Sequence, residues 1–324
     1  MVRKMESNVY RFGHVDIRLV MPEGMPRPEN LAKFLADDTV NLFCEGKEVG
    51  GSQKDNITDE KVELQERKPM VYTLEYADHM TDIMAEVTGK QVGNGIIVRE
   101  NLRVFQTEAG ECRCIYFFGA DMPYAVSMQK GGADYHVWVD KGVEEMLAYD
   151  TVFIAMLSLE KHMIQNGAMI LHSAYMCYKD SAVLFSAPSE VGKSTQASLW
   201  EKYRGTRTIN GDRSLLIRGE NGWYAYGWPV CGSSEVCNNE AYPIRAIVML
   251  KQAKINRAYP IKGFQAVREI MEQITINSWD GAFQMRVMDN LEQLIQEVPI
   301  YRLECDISEQ AVECLEQLLT VGEE

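Results

Sequence analysis

The sequence predicts a mixed α/β protein in two parts, with a phosphate-binding loop in the second part. Three observations support this: short β-like runs in the first 141 residues, helical spacing of apolar residues after them, and a strand, a glycine–lysine loop and a helix in succession at 181–203. We therefore predict an antiparallel β-rich domain at 1–141 and an α/β (α+β) domain at 142–324.

Strands are predicted in the first part because short runs of β-favouring residues alternate with turn signals such as the one at 130–134. The clearest runs are 16–20, 95–99, 114–118 and 135–139. The polar stretch 45–69 has no periodicity and is predicted to be a long mobile loop.

The apolar pattern changes at the predicted boundary. Within 143–166, Met146, Tyr149 and Phe153 begin a three- and four-residue spacing, and Asn166-Gly167 ends it, so one helix is predicted. Next, Lys179-Asp180 separates two β-like runs as the turn of a hairpin. Further strands are predicted at 207–210, 214–218, 223–227, 244–251 and 300–305, and further helices at 263–277, 284–297 and 308–320.

The segment 187–195 nearly matches the phosphate-loop pattern Gly-x-x-x-x-Gly-Lys-[Ser/Thr], with Ala187 at the first glycine position. An apolar strand-like run precedes it and a helical pattern follows, as the motif requires. Free amides and the positive end of the helix would then face an anion. An ordinary strand-to-helix turn is the competing interpretation. The predicted nucleotide-binding residues are Ser189, Glu190, Val191, Gly192, Lys193, Ser194 and Thr195.

Asp212 is the candidate acidic partner of this loop. It lies 19 residues after Lys193, which is about the length of a helix and a returning strand. A magnesium ion on phosphates favours a carboxylate, and a phosphoryl acceptor needs a base. The alternative is a turn aspartate in Asn210-Gly211-Asp212.

Four blocks of this region resemble the C-terminal domain of HPr kinase/phosphorylase, and more closely the HPr-kinase-like proteins, some of which accompany peptide-maturation enzymes. The blocks are 171–174, 192–195, 210–213 and 226–229, and the likeness covers about 165–305. It implies a P-loop kinase domain of the HPr kinase/phosphoenolpyruvate carboxykinase type. The implied reaction is ATP- and Mg²⁺-dependent transfer of phosphate to a serine hydroxyl.

The resemblance also implies roles for single residues. Lys193 would bind the β- and γ-phosphates, Ser194 would bind magnesium, and Asp212 would be the base or a metal ligand. His172 matches the histidine of the family, although a histidine in an apolar strand is often a satisfied core residue. Arg213 would neutralise the transferring phosphate or form a surface ion pair.

The segment 228–235 is interpreted either as a mobile flap near the acceptor or as a plain surface loop.

Three departures from the family pattern limit the implied activity. Ala187 replaces a glycine, Glu190 stands where relatives commonly have glycine, and Gly211 leaves Asp212 as a single carboxylate instead of a pair. These favour two alternatives: a nucleotide-binding switch or adaptor module in peptide modification, or a degenerate loop that binds no nucleotide.

Composition and charge limit the classes of molecule that the protein is expected to bind. The formal net charge of −14 argues against nucleic acid and anionic membranes as partners. The eight cysteines form no metal-ligand pattern and are expected to be reduced, and residues 1–8 lack the apolar core of a signal peptide. We expect a cytoplasmic protein that acts on a peptide or protein acceptor, and self-association into a homo-oligomer stays open.

Overall fold

The computed structural model describes residues 4–36, 69–132 and 134–320. The predicted mobile loop at 45–69 lies outside these residues except for Pro69. Within these residues, the first part contains one α-helix, α1 (Met80–Gly89), and a short 3-10 helix at Glu29–Phe34. Its strands are β1 (Met5–Phe12), β2 (Val15–Pro22), β3 (Met70–Ala77), β4 (Gln91–Arg99), β5 (Leu102–Thr107), β6 (Gly110–Ile115), β7 (Ala125–Gln129) and β8 (Tyr135–Asp140).

These strands form one eight-stranded sheet in the order β1-β2-β3-β8-β7-β6-β5-β4. The β1–β2 hairpin and the run from β8 to β4 are antiparallel, but β3 is parallel to both β2 and β8. The prediction of an antiparallel sheet was therefore wrong at its centre. Parallel neighbours are joined by long connections, and their pairing leaves no turn signal in the sequence.

The second part combines a sheet with six helices in the described residues. The helices are α2 (Asp150–Ala155), α3 (Leu159–Gln165), α4 (Lys193–Arg204), α5 (Gly263–Met271), α6 (Gly281–Glu297) and α7 (Glu309–Leu319). The strands are β9 (Ala168–Tyr178), β10 (Ser181–Ser186), β11 (Arg207–Asn210), β12 (Arg213–Gly219), β13 (Gly222–Tyr226), β14 (Ala241–Gln252), β15 (Arg257–Pro260) and β16 (Ile300–Cys305). The predicted β9–β10 hairpin is confirmed, with Lys179 and Asp180 in the left-handed conformation of a tight turn.

Strand β9 changes partners at a position that matters for the site. Residues 168–172 pair with β12, and residues 173–178 pair with β10. At the change, the amide of His172 donates to the carbonyl of Gln273, and Ser173 pairs with Ser186 at the end of β10. His172 therefore lies where three chain segments meet.

The two sheets share a hydrophobic core. Phe12 of β1 packs against Trp228 with ring centroids 5.2 Å apart, and Leu215 and Ile217 of β12 belong to the same buried cluster. This cluster crosses the predicted boundary at 141/142, so the two sheets pack directly on each other. The division into two domains stays a prediction.

The single helix predicted at 143–166 was wrong. The chain instead forms a 3-10 helix at Lys141–Ala148, followed by α2 and α3. Tyr149 is extended and Ser158 is left-handed with φ 53°, so neither residue continues a helix. The apolar spacing survives these breaks because each short piece still buries its side chains against the core.

Candidate functional site

The loop between β10 and α4 has the strand–loop–helix order that the sequence predicted. β10 ends at Ser186, and α4 begins at Lys193 directly after Gly192, whose φ is 116°. The first amides of a helix have no partner within it, so the first turn of α4 offers free N–H groups to an anion. Ser194 and Thr195 in that turn are exposed.

Lys193 is held inside this loop. Its side chain is buried, and Nζ donates to the carbonyls of Ala187 at 3.1 Å and Pro188 at 3.3 Å. Burial lowers the pKa of Lys193, an effect opposed by the negative charge of Asp212 and reinforced by Arg213. No carboxylate of the described residues lies within ion-pair distance of Nζ. The loop therefore holds a cation that lacks an anionic partner.

Two of the departures from the family pattern affect the loop, one through packing and one through backbone conformation. Ala187 is fully buried among apolar residues that include Val183 and Ala197, so its methyl group packs where a glycine would leave space. Glu190 has φ 67°, the left-handed region that favours glycine, at a cost of about 1 kcal/mol. The loop keeps its shape despite this strain.

His172, Asp212 and Arg213 form a cluster at the junction of β9 and β12. His172 Nε2 lies 3.3 Å from Asp212 Oδ1, and Arg213 Nε lies 3.2 Å from Asp212 Oδ2. The strand register explains this, because His172 is paired with Arg213 across β9 and β12. Arg213 Nη1 also donates to Thr275 Oγ1 at 3.0 Å. The His172 ring is therefore partnered by a carboxylate, and both its catalytic role and its role as a satisfied core residue stay predictions.

The backbone around Asp212 is fixed from both sides. The buried Asn210 accepts hydrogen bonds at Oδ1 from the amides of Asp212 and Arg213, each at 3.0 Å. The carbonyl of Asp212 accepts from the amide of Ser173 at 3.0 Å. The predicted turn Asn210-Gly211-Asp212 is therefore present, and it aims the Asp212 carboxylate at His172.

Asp212 is ionised at neutral pH. Burial raises its pKa, but the hydrogen bond from His172 and the charge of Arg213 outweigh burial, so the pKa lies below its ordinary value. A carboxylate with a lowered pKa is a weak base and a good ligand for a cation or orienting group for a hydroxyl.

The segment after Trp228 packs directly on this turn. A 3-10 helix at Gly232–Ser234 covers Gly211, and a Cβ added at Gly211 would overlap the side chain of Ser234. A second aspartate therefore has no room at position 211. Trp228 and Cys231 are buried, so the surface-loop interpretation of 228–235 was wrong for its first half, and the mobile-flap interpretation stays a prediction.

In the described residues, the two predicted magnesium ligands do not belong to a cluster of metal-binding side chains. Ser194 and Asp212 make no hydrogen bond to each other, and the described residues contain no group of three or more His, Cys, Asp or Glu side chains suited to a metal.

A cavity of about 700 Å³ opens next to the cluster, and His172 and Arg213 form part of its wall. Its other walls include Arg113 of β6, Glu160 of α3 and Trp279, which the sequence analysis missed. These three residues belong to no local motif, so no pattern in the sequence indicates that they meet.

These features define a mixed α/β protein in which a lysine-bearing loop follows β10 and a His–Asp–Arg cluster lies where β9 pairs with the start of β12. The chain belongs to the family described as SynChlorMet cassette protein ScmC, whose model matches residues 140–320.

A search of curated proteins found no match. Among solved structures, the chain is similar to one described as the structure of the Hpr(Ser) kinase/phosphatase from Coxiella burnetii. That match has 13% identity and a TM-score of 0.29, and it covers 46% of this chain and 87% of the other. This likeness is distant.

No helix in the described ranges is long and apolar enough to cross a membrane.

Proposed function

We propose that the protein is an ATP- and Mg²⁺-dependent kinase that transfers phosphate to a serine-type hydroxyl of a peptide or protein. The observation that carries this proposal is the buried cation of Lys193 at the start of α4, on which the Asp212 carboxylate acts electrostatically. A buried cation without an anionic partner is costly, and a terminal phosphate would supply that partner.

The loop would bind the nucleotide. Free amides at the start of α4 and the positive end of the helix would face the β- and γ-phosphates. Lys193 would exchange its bonds to the carbonyls of Ala187 and Pro188 for bonds to phosphate oxygens. The helix amides are already in place, so they would stabilise negative charge with little reorganisation, whereas Lys193 would have to change partners.

Ser194 and Asp212 fit the modest demands of magnesium, which keeps several waters and binds one or two carboxylates plus substrate phosphates. Ser194 is exposed at the first turn of α4, and Asp212 is ionised. Bound magnesium would neutralise charge that develops on the phosphates.

Asp212 would act on the acceptor. It would orient the acceptor hydroxyl and take its proton only as the hydroxyl oxygen bonds to the γ-phosphorus and ADP leaves, when that oxygen has become acidic enough for a weak base. His172 would hold the carboxylate at Oδ1, and Arg213 would offset the negative charge of the transferring group. A positioned carboxylate suits a reaction that depends mainly on orientation and electrostatics.

A second candidate is a catalytically weak nucleotide-binding switch or adaptor module in peptide modification. The observation in its favour is the contact between Gly211 and Ser234, which leaves a single carboxylate beside the loop. This function needs nucleotide affinity but no phosphate transfer.

Calorimetry with ATP and magnesium, followed by transfer assays with labelled ATP and serine-containing peptides, separates these functions. Lys193→Ala should lower ATP affinity at least tenfold and abolish transfer. Lys202→Ala, which removes the same charge from an exposed position of α4, should change neither. Affinity without transfer would favour the switch. No ATP binding by the wild type would contradict both functions and indicate a degenerate loop.

A further inference from the structure

The cavity beside the His–Asp–Arg cluster has walls from both sheets. Leu102 and Arg113 come from the first sheet, and Ile154 and Glu160 come from the helices that follow it. The segment 271–279 closes another side. Cavities of this size hold small molecules or a short stretch of peptide. His172 and Arg213 line the cavity, and residues 187–192 are not part of its lining.

Arg113 lines the cavity, and one of its nitrogens lacks a hydrogen-bond partner in the described residues. Its side chain is buried, with Nε bonded to Glu111 at 2.7 Å and Nη1 bonded to Glu160 at 2.6 Å. Its Nη2 has no partner among the described residues. Buried polar groups nearly always have partners, so this nitrogen points to an oxygen that a ligand would supply.

The surroundings fix the position of Arg113. The guanidinium lies 5.2 Å from the centre of the Trp279 ring, and Trp279 Nε1 donates to Glu111 at 3.0 Å. Asn277 donates to Glu160 at 3.0 Å. Nη2 is buried, so an oxygen reaches it only if a neighbouring side chain moves slightly. We expect Trp279 to move, because its ring packs on the guanidinium. Ligand binding should therefore change the fluorescence of Trp279.

The charge of the wall differs from that of the whole protein. The chain has a net charge of −14, yet three arginines, Arg99, Arg113 and Arg213, line the cavity beside two carboxylates, Glu160 and Glu272. Arg113 and Arg213 are ion-paired with carboxylates, so the wall offers guanidinium donors rather than a large positive charge. Apolar side chains such as Ile154 and Ile274 complete the wall. This combination suits a segment with apolar side chains and an oxygen acceptor.

We propose that this cavity is the acceptor-binding site, and that Arg113 anchors an oxygen of a short peptide segment whose hydroxyl lies beside His172. The inference rests on the proposed kinase function and names where its acceptor binds. The anchored oxygen is either a main-chain carbonyl or a terminal carboxylate, since both accept from a guanidinium.

The test uses two probes, N-acetyl-Ser-Leu-Leu as the free acid and as the amide, with the full-length protein. Binding is measured by saturation-transfer NMR and by tryptophan fluorescence. Both wild-type signals should respond at millimolar peptide, and the fluorescence change should disappear in Trp279→Phe. Tighter binding of the acid would identify a carboxylate at Arg113, and equal binding would identify a carbonyl. Failure of both peptides to bind would overturn the proposal.

A variant that fills the cavity tests whether the peptide binds there. Ala155 is an exposed residue of α2 on the cavity wall, so Ala155→Trp should weaken peptide binding at least tenfold. Ala85→Trp, at an exposed position of α1 outside the cavity, is the matched control and should bind normally. Arg113→Lys keeps the charge but loses Nη2, and should weaken binding at least fivefold. Unchanged binding by Ala155→Trp would place the peptide elsewhere.

ATP calorimetry on the same variants separates this inference from the proposed function. Ala155→Trp should bind ATP as the wild type does. If the wild type binds no ATP, the kinase proposal fails, and the peptide titrations still decide whether the cavity binds a segment. If ATP binds and phosphate is transferred while Ala155→Trp leaves the KM for peptide unchanged, the cavity assignment fails and the kinase proposal stands.

Discussion

The phosphate loop and the cavity beside the His–Asp–Arg cluster are built in different ways. The loop is one continuous segment, 187–195, whose shape depends on β10, Gly192 and the start of α4. The cavity draws its wall from both sheets and from residues as distant in sequence as Arg113 and Thr275. A continuous motif therefore fixes the geometry of the loop locally, whereas the cavity depends on how the whole chain packs.

The largest expected effect separates chemistry from nucleotide binding. Asp212→Asn should lower the rate of phosphate transfer by about 10²- to 10⁴-fold, because the carboxylate acts on the acceptor. ATP affinity measured without magnesium should change much less, since in the proposed site the loop supplies the phosphate contacts. Single-turnover transfer and calorimetry measure the two quantities.

Asp289→Asn, on the exposed face of α6, is the control and should transfer phosphate normally. Equal losses of rate and affinity in Asp212→Asn would contradict the proposal that the loop binds the nucleotide and the cluster acts on the acceptor.

The second effect is a loss of stability at low pH, centred on α3, which supplies part of the cavity wall. Burial lowers the pKa of His162 in α3 from 6.5 to about 4. The folded state therefore binds a proton less readily than the unfolded state, so stability present above pH 6.5 is lost as the pH falls towards 4. The loss is up to about 3 kcal/mol.

Denaturant titrations between pH 7 and pH 4 measure this loss. His162→Gln should show a flatter profile, whereas His79→Gln, at an exposed position, should follow the wild type. A wild-type profile that matches that of His162→Gln would show that His162 is not responsible.

The third effect concerns the single carboxylate. Gly211→Asp should lower the free energy of unfolding by about 2 kcal/mol, because the new side chain overlaps Ser234. Adding Ser234→Gly should recover part of the loss. Gly281→Asp, where a Cβ meets nothing within 4 Å, is the matched control and should be nearly neutral. A stable Gly211→Asp single variant would contradict the packing described for this turn.

The smallest effect tests strain in the loop. Glu190→Gly should raise the free energy of unfolding by about 1 kcal/mol, because Glu190 is left-handed. Thermal and denaturant unfolding measure the gain. Glu220→Gly, at an exposed turn residue that is not left-handed, should instead be neutral or destabilising. Equal effects at the two positions would indicate that the loop is not strained.

Much of the loop could be predicted because its signals are local. The apolar run of β10, the glycine–lysine pair and the spacing of Ala197 and Trp200 all lie within 24 residues, from 181 to 204. The hairpin turn at Lys179-Asp180 was predicted for the same reason.

The rest depended on distant contacts. The parallel pairing of β3 with β2 and β8 and the meeting of Arg113 with Glu160 require chain crossovers that no local pattern encodes. The helix predicted at 143–166 failed at Ser158, a left-handed residue in an otherwise helical apolar spacing. Tertiary packing overrides propensity in such places.

The most direct test of the central claim is a crystal structure with magnesium and a non-hydrolysable ATP analogue. We predict that the terminal phosphate contacts Lys193 Nζ and the first amides of α4, and that Asp212 and His172 converge on it from the side of the cavity. A terminal phosphate directed away from Asp212, or a loop that holds no nucleotide at saturating concentration, would contradict the claim that loop and cluster form one phosphate-transfer site.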